Sequence, residues 1–473
     1  MSQSRRHAVA NMMFLVVLVP RVVTGQAALP KPTPAQITTY ADSVVKASMA
    51  KSGTPGISVA VVRGSDTLLL KGYGQADVEN RVPVTTESVF LIGSLTKQFT
   101  SAAVMKLVEQ GRIRLDATIG DYLSDYAGPG RRVTIHQLLN HTSGIPSYTS
   151  LGDKFWPVNS RLDLTHAQML ALFAGDSLQF EPGSKFAYNN SGYYLLGMII
   201  EKVTGQSYAE HVRSALAQPL ELGTLRYCED KSVIMNRVDG YERDGATVVN
   251  AAPLSMNAPF AAGSLCSNAR DLVRWNSALV AGRVVSAASY TKMTTATTLS
   301  GGAVEAYGYG LVPGRLGANA SVAHSGGING FSSHMAYYPD AKLTVVVLTN
   351  SDAGDPGIIT GAIARYILGV PAPPPAAPVR DLPTTAAERA RYIGTFDLAP
   401  TIPLQVRVFE QAGMLYGQAT GQGPIPLRYQ GDNAFEGPDG SGIRMVFVLA
   451  DGRATQFTLQ QGGRSAVAKR IAD

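Results

Sequence analysis

Val89-Phe90-Leu91-Ile92-Gly93-Ser94-Leu95-Thr96-Lys97 is an apolar run that breaks at a glycine and opens a helical stretch lasting to Gly111. Helical spacing puts Ser94 and Lys97 on one face, one turn apart. A side chain in a first turn sits among free backbone N–H groups and at the positive end of the helix dipole. A nucleophilic serine uses both, as oxyanion donors and as a field that favours developing negative charge. Lys97 is in reach as its base once it gives up a proton, and burial beside a helix N-terminus lowers a lysine pKa in that direction. The helix behind carries Phe99, Ala102, Ala103, Val104, Met105, Leu107 and Val108, apolar nearly all round, which predicts a buried core helix. That context separates Ser94 and Lys97 from the pairs Ser43/Lys46, Ser48/Lys51 and Ser289/Lys292, which share the spacing but read as solvated helix surface.

Working outward, Thr33 to Lys51 predicts an amphipathic helix, and Ile57 to Arg63 with Thr67 to Tyr73 a hairpin around Gly64-Ser65-Asp66. Downstream, Ile135 to Leu139, Ala167 to Phe173, Tyr193 to Val203 and Ala269 to Ala281 read as helices in a long and partly irregular insert. Strands return at Ser321 to Ser325, Phe331 to Tyr338 and Leu343 to Leu348, before a last helix from Ile358 to Leu368. The layout predicts an α+β fold. One antiparallel sheet of early and late strands lies between terminal helices on one face and a helical subdomain on the other. Gly369 to Pro383 is proline-rich, a stiff extended linker. Beyond it, short alternating segments such as Leu404 to Phe409, Met414 to Gln418, Met445 to Leu449 and Thr455 to Leu459 predict a small β-barrel. The expected organisation is a leader over 1–27, a main domain over 28–369, the linker over 370–383 and the barrel over 384–473.

Of 473 residues 45% are hydrophobic and 16% charged, enough for a large core and unlike a disordered chain. The net charge of +6 comes from scattered basic residues, so no nucleic-acid surface is expected. Arg5, Arg6 and His7, the apolar Met12 to Val19 and the small residues near Gly25 to Ala28 read as a secretory signal peptide, predicting export. Pro20 and Arg21 interrupt the apolar run well short of the ~20 residues a membrane span needs. Cys228 and Cys266 are expected as two buried thiols, although export would permit a disulfide. No His, Cys or Asp pattern has metal-ligand spacing, and no cofactor is expected.

Two further motifs complete a constellation. Tyr188-Asn189-Asn190 offers a phenol that, beside a lysine, can take a proton from Ser94 and pass it on, and an amide that can hold both the lysine and a substrate amide. His324-Ser325-Gly326-Gly327 ends a late strand, where glycines allow close backbone approach. The Gly327 N–H would pair with that of Ser94 as an oxyanion hole.

Ser-x-x-Lys at a helix start, then Tyr-x-Asn, then His-Ser-Gly on a strand, resembles the beta-lactamase-related family of penicillin-recognising serine hydrolases. That family includes class C beta-lactamases, D-alanyl-D-alanine carboxypeptidases, D-aminopeptidases and family VIII esterases. The resemblance spans about Ile37 to Leu368 and includes Leu138-Leu139-Asn140-His141-Thr142-Ser143-Gly144 and Phe180-Glu181-Pro182-Gly183. It implies Ser94 as nucleophile, Lys97 and Tyr188 sharing the base role, and Asn190, His324 and Gly327 lining the site, with His141 structural. Class C beta-lactamases usually carry Lys where this chain has His324, and a mostly neutral histidine provides no fixed charge for a lactam carboxylate. The tail is similar to the accessory barrel of D-aminopeptidases. The expectation is an exported serine hydrolase acting through an acyl-enzyme on an ester, amide or peptide, esterase or D-amino-acid peptidase in kind. The alternatives are a beta-lactamase and an idle scaffold on the same fold. Neither the substrate nor the oligomeric state follows from the sequence.

Overall fold

The computed structural model describes residues 32–372, 380–398, 405–419, 423–438, 441–461 and 464–472. The expected leader over 1–27 lies outside them, as does 373–379 of the proline-rich stretch. Among the described residues no helix is long and apolar enough to cross a membrane.

The main sheet has seven antiparallel strands: β1 (Gly56–Arg63), β2 (Asp66–Asp77), β3 (Val82–Pro83), β4 (Val312–Leu316), β5 (Asn319–Ile328), β6 (Phe331–Tyr338) and β7 (Leu343–Thr349). Their order is β4-β5-β6-β7-β1-β2-β3. Early and late segments meet at the β1–β7 ladder, where Val59 faces Val347 and Val61 faces Val345. Both strands are apolar without alternation because both faces are covered. On one face Val59, Val61, Val345 and Val347 pack with Ile37, Ala41 and Val45 of helix α1 (Pro34–Ser52), and with the C-terminal helix of this body, Pro356–Leu368. On the other face Ala60, Val346 and Leu348 join the core of the helical insert. The strand over Val312–Leu316 was not expected. It contains Pro313 and Gly314 and lies at the sheet edge, where a missing N–H is tolerated.

Helix α2 (Thr96–Glu109) runs through the insert core, with every residue from Thr96 to Met105 buried. Phe99 lies against Trp275 with ring centroids 4.1 Å apart, and the Trp275 indole N–H donates to Gln98 Oε1 at 2.8 Å. Burying a side chain such as Phe99 stabilises by about 1.5–3 kcal/mol. A three-stranded sheet of Phe90–Leu91, Leu265–Ser267 and Arg226–Tyr227 delivers the chain to the start of this helix. Cys228 and Cys266 are buried, unlinked thiols in a small cluster with Val89 and Ile234.

Eight strands between Gly394 and Ala472 close into a barrel. Phe396, Phe435, Phe447 and Phe457 fill its interior in edge-to-face or tilted contacts.

Candidate active site

Ser94 lies in a 3-10 turn, Gly93–Leu95, that leads into α2 rather than in the α-helix itself. The turn needs Gly93, whose φ of +50° is left-handed. Ser94 is half-buried and Lys97, one turn on, is completely buried.

The Lys97 Nζ has three polar neighbours: Ser94 Oγ at 3.0 Å, Asn190 Oδ1 at 2.8 Å and the Ala262 carbonyl oxygen at 2.9 Å. Two of these can only accept. A neutral amine has two N–H groups and one lone pair, so it donates to Asn190 and Ala262 and turns its lone pair to the Ser94 hydroxyl. Burial drives Lys97 towards that state, pushing its pKa well below the usual lysine range. Among the described residues no carboxylate forms an ion pair with it.

Asn190 opens helix α3 (Asn190–Thr204), with Asn189 as the cap, accepting from the Gly192 N–H at 2.8 Å. The Asn190 amide is oriented by Nδ2 donating to Thr149 Oγ1 at 3.1 Å, and its N–H donates to Ser147 Oγ at 3.1 Å. Tyr188, half-buried, packs its ring beside the lysine, with Nζ 4.8 Å from the centroid. The Tyr193 ring closes the other side at 5.4 Å.

Gly327 completes the front of the site. A methyl group on Gly93 would fall 2.9 Å from both the nitrogen and the oxygen of Gly327, so the two main chains touch. The Ser333 hydroxyl donates to the Ile92 carbonyl at 2.8 Å and ties the sheet to the Ser94 turn. Beyond Gly327 the direction of a Cβ is open space.

His324 is buried beside these groups rather than presenting a free nitrogen. Its Nδ1 lies 2.6 Å from the Ser325 carbonyl and therefore carries the hydrogen, and its Nε2 accepts from the Tyr307 hydroxyl at 2.9 Å. Burial first, and the Lys97 charge second, hold its pKa down to about 3. At neutral pH it is an uncharged hub with both nitrogens occupied by the protein.

The structure therefore brings all six expected residues together: Ser94, Lys97 and Asn190 by hydrogen bonds, Tyr188 by ring packing, Gly327 through its main chain and His324 one layer behind. It adds Thr149, Ala262 and Tyr307. Tyr307 carried one legible signal, the alternation Tyr307-Gly308-Tyr309-Gly310. A methyl on Gly308 would meet the Met293 carbonyl oxygen at 2.1 Å, and one on Gly310 the Lys97 carbonyl oxygen at 2.6 Å. Two motifs without direct chemistry form one unit, since the Gly183 N–H donates to the Thr142 carbonyl at 2.8 Å. No group of three or more His, Cys, Asp or Glu suited to a metal occurs among the described residues.

Residues 41–366 match the model of the beta-lactamase family. The chain belongs to that family. The match covers more than half of the chain and includes every residue placed around Ser94. It is 30% identical over 316 residues to protein flp of Staphylococcus aureus, 65% of this chain and 62% of that protein, so the match spans less than two thirds of that relative's length. Penicillin-binding protein 4* of Bacillus subtilis is 28% identical over 439 residues, 87% of this chain and 94% of that one. Among solved structures, a D-stereospecific amidohydrolase from Streptomyces superposes with a TM-score of 0.60 at 29% identity, covering 70% of this chain and 98% of that chain. This beta-lactamase-family chain is thus similar both to a penicillin-binding protein and to a D-stereospecific amidohydrolase.

Proposed function

We propose that the chain is an exported hydrolase that cleaves an ester or amide through an acyl-enzyme on Ser94, esterase or D-amino-acid peptidase in kind. The observation that carries this is the Lys97 Nζ, buried and shared between Ser94 Oγ, Asn190 Oδ1 and the Ala262 carbonyl. Ser94 Oγ attacks the carbonyl carbon as Lys97 takes its proton. The N–H groups of Ser94 and Gly327 hold the oxyanion. Tyr188, with Lys97, returns the proton to the leaving group. Water then attacks the acyl-serine by the reverse path and frees the product acid.

Neutral, hydrogen-bonded His324 supports esters and amides over lactams, since it puts no positive charge where a lactam carboxylate would lie. The likeness to a D-stereospecific amidohydrolase supports D-amino-acid amides within that range.

The test is a fluorophosphonate probe followed by peptide mapping, then turnover of a p-nitrophenyl ester, a D-amino-acid amide and a chromogenic cephalosporin. The expected outcome is a single adduct on Ser94 and faster turnover of the ester or amide. An unlabelled folded protein, or an adduct elsewhere, overturns the assignment and favours the idle-scaffold alternative.

A further inference from the structure

His141 is the residue of its motif with the least ordinary surroundings. It is completely buried, and its backbone is left-handed at φ +61°, a conformation that a non-glycine residue keeps only where its surroundings dictate it. Its ring is enclosed by those of Tyr188 at 4.4 Å, Tyr307 at 4.6 Å, Tyr193 at 5.2 Å and Phe186 at 5.9 Å between centroids. Its Nε2 has no hydrogen-bond partner. A buried, unpaired polar atom is a cost that leucine or phenylalanine would avoid. Filling space therefore does not account for a histidine here.

What the ring supplies is Nδ1. The Asn189 N–H donates to it at 3.1 Å, which puts the ring hydrogen on Nε2. The His141 carbonyl accepts from the Ala187 N–H at 3.0 Å. One residue thus holds the main chain on both sides of position 188 while its ring lies against the Tyr188 ring. Asn190 has separate anchors in Ser147 and Thr149. We propose that His141 is a positioning residue for Tyr188, fixing the phenol against Lys97 through the paired bonds to Ala187 and Asn189.

The proposal rests on the reading of Tyr188 as a proton-transfer group. The closing experiment separates the two. Full-length wild type, Tyr188→Phe, His141→Ala, His141→Asn and the double variants of Tyr188→Phe with each His141 change are compared on a p-nitrophenyl ester. Each is also checked for thermal stability. Asn suits a left-handed backbone and its Oδ1 can replace Nδ1 as acceptor. His141→Ala is expected to lower kcat at least ~10-fold with KM within ~2-fold, and His141→Asn to recover most of that loss. In the Tyr188→Phe background either His141 change should alter kcat by less than ~2-fold, because the group being positioned is already disabled. If His141→Ala fails to fold, His141→Gly, which suits the left-handed backbone but lacks the acceptor, takes its place, with amide hydrogen exchange over 187–190 expected to rise while that over 147–149 does not. Full multiplication of the two losses, or an Asn variant as impaired as Ala at equal stability, overturns the positioning role. Wild-type kcat in Tyr188→Phe alone overturns instead the proton-transfer role of Tyr188, and with it the proposal.

Discussion

The main chains of Gly93 and Gly327 lie in contact, close enough that one methyl group on Gly93 would collide with both the nitrogen and the oxygen of Gly327. The nucleophile turn and the strand Asn319–Ile328 are thus registered to each other by the absence of a side chain on Gly93. Gly93→Ala has to push Gly327 away and also hold an L-residue at φ +50°, at roughly 1–2 kcal/mol for the backbone. We expect kcat/KM to fall by about 10²-fold, the size of one lost oxyanion donor. Stability should fall much less in relative terms. Steady-state kinetics beside denaturant titration checks this; a rate loss no larger than the stability loss predicts would count against the oxyanion role.

Lys97 is expected to act as a neutral amine, so kcat/KM should rise with pH as Lys97 loses its proton, with a midpoint below the ordinary lysine value. The stability effect has the same sign. Between its lowered folded pKa and the unfolded value the unfolded chain binds the extra proton, so this residue makes stability increase with pH across that window. Lys97→Arg cannot deprotonate and should lose about 10³-fold in kcat. A pH–rate profile of wild type and fluorophosphonate labelling of the variant test both.

His324 titrates at about 3 in the folded chain, against 6.5 when unfolded. Its contribution to stability is complete above 6.5 and is lost as pH falls from 6.5 towards 3, because only the unfolded chain takes up the proton there. At about 1.4 kcal/mol per unit, His324→Gln should shrink the stability drop between pH 7 and pH 4 by up to ~3 kcal/mol. His141 and His334 are lowered in the same direction and remain in both proteins. Denaturant titrations at the two pH values decide it; an unchanged drop would mean that His324 is hydrated and free to protonate.

Removing everything after Pro383 should leave a cooperatively unfolding protein that still labels at Ser94. The barrel core, centred on Phe396, Phe435, Phe447 and Phe457, shares no residue with the two cores around the main sheet. Calorimetry of the shortened chain is the check, and loss of its cooperative transition would mean that the barrel completes the main core.

The fold was legible where one physical signal dominated. Phe331–Tyr338 and Ile135–Leu139 lie at the bounds read from the sequence, and the latter helix is capped by Thr134. Val312–Leu316 was hidden because Pro313 and Gly314 weaken a strand pattern, which an edge position tolerates. Of the candidate site, Ser94, Lys97, Tyr188 and Asn190 could be read because the chemistry restricts residue type and spacing. Thr149 could not, since it acts through one hydrogen bond from a short turn whose path depends on tertiary packing, and Tyr307 was marked only by its alternation with glycines. His324 was legible as present and mostly uncharged but not as inward-bonded, because burial is a property of the assembled neighbours.

Ser94, Asn190 and Gly327 come from three widely separated stretches of chain, and Gly327 reaches the nucleophile only through a late strand, Asn319–Ile328. A growing polypeptide therefore carries its serine and lysine long before it owns an oxyanion hole. The acyl-enzyme chemistry proposed for Ser94 therefore waits on the completed sheet, because its second N–H donor is the last part of the site to be made.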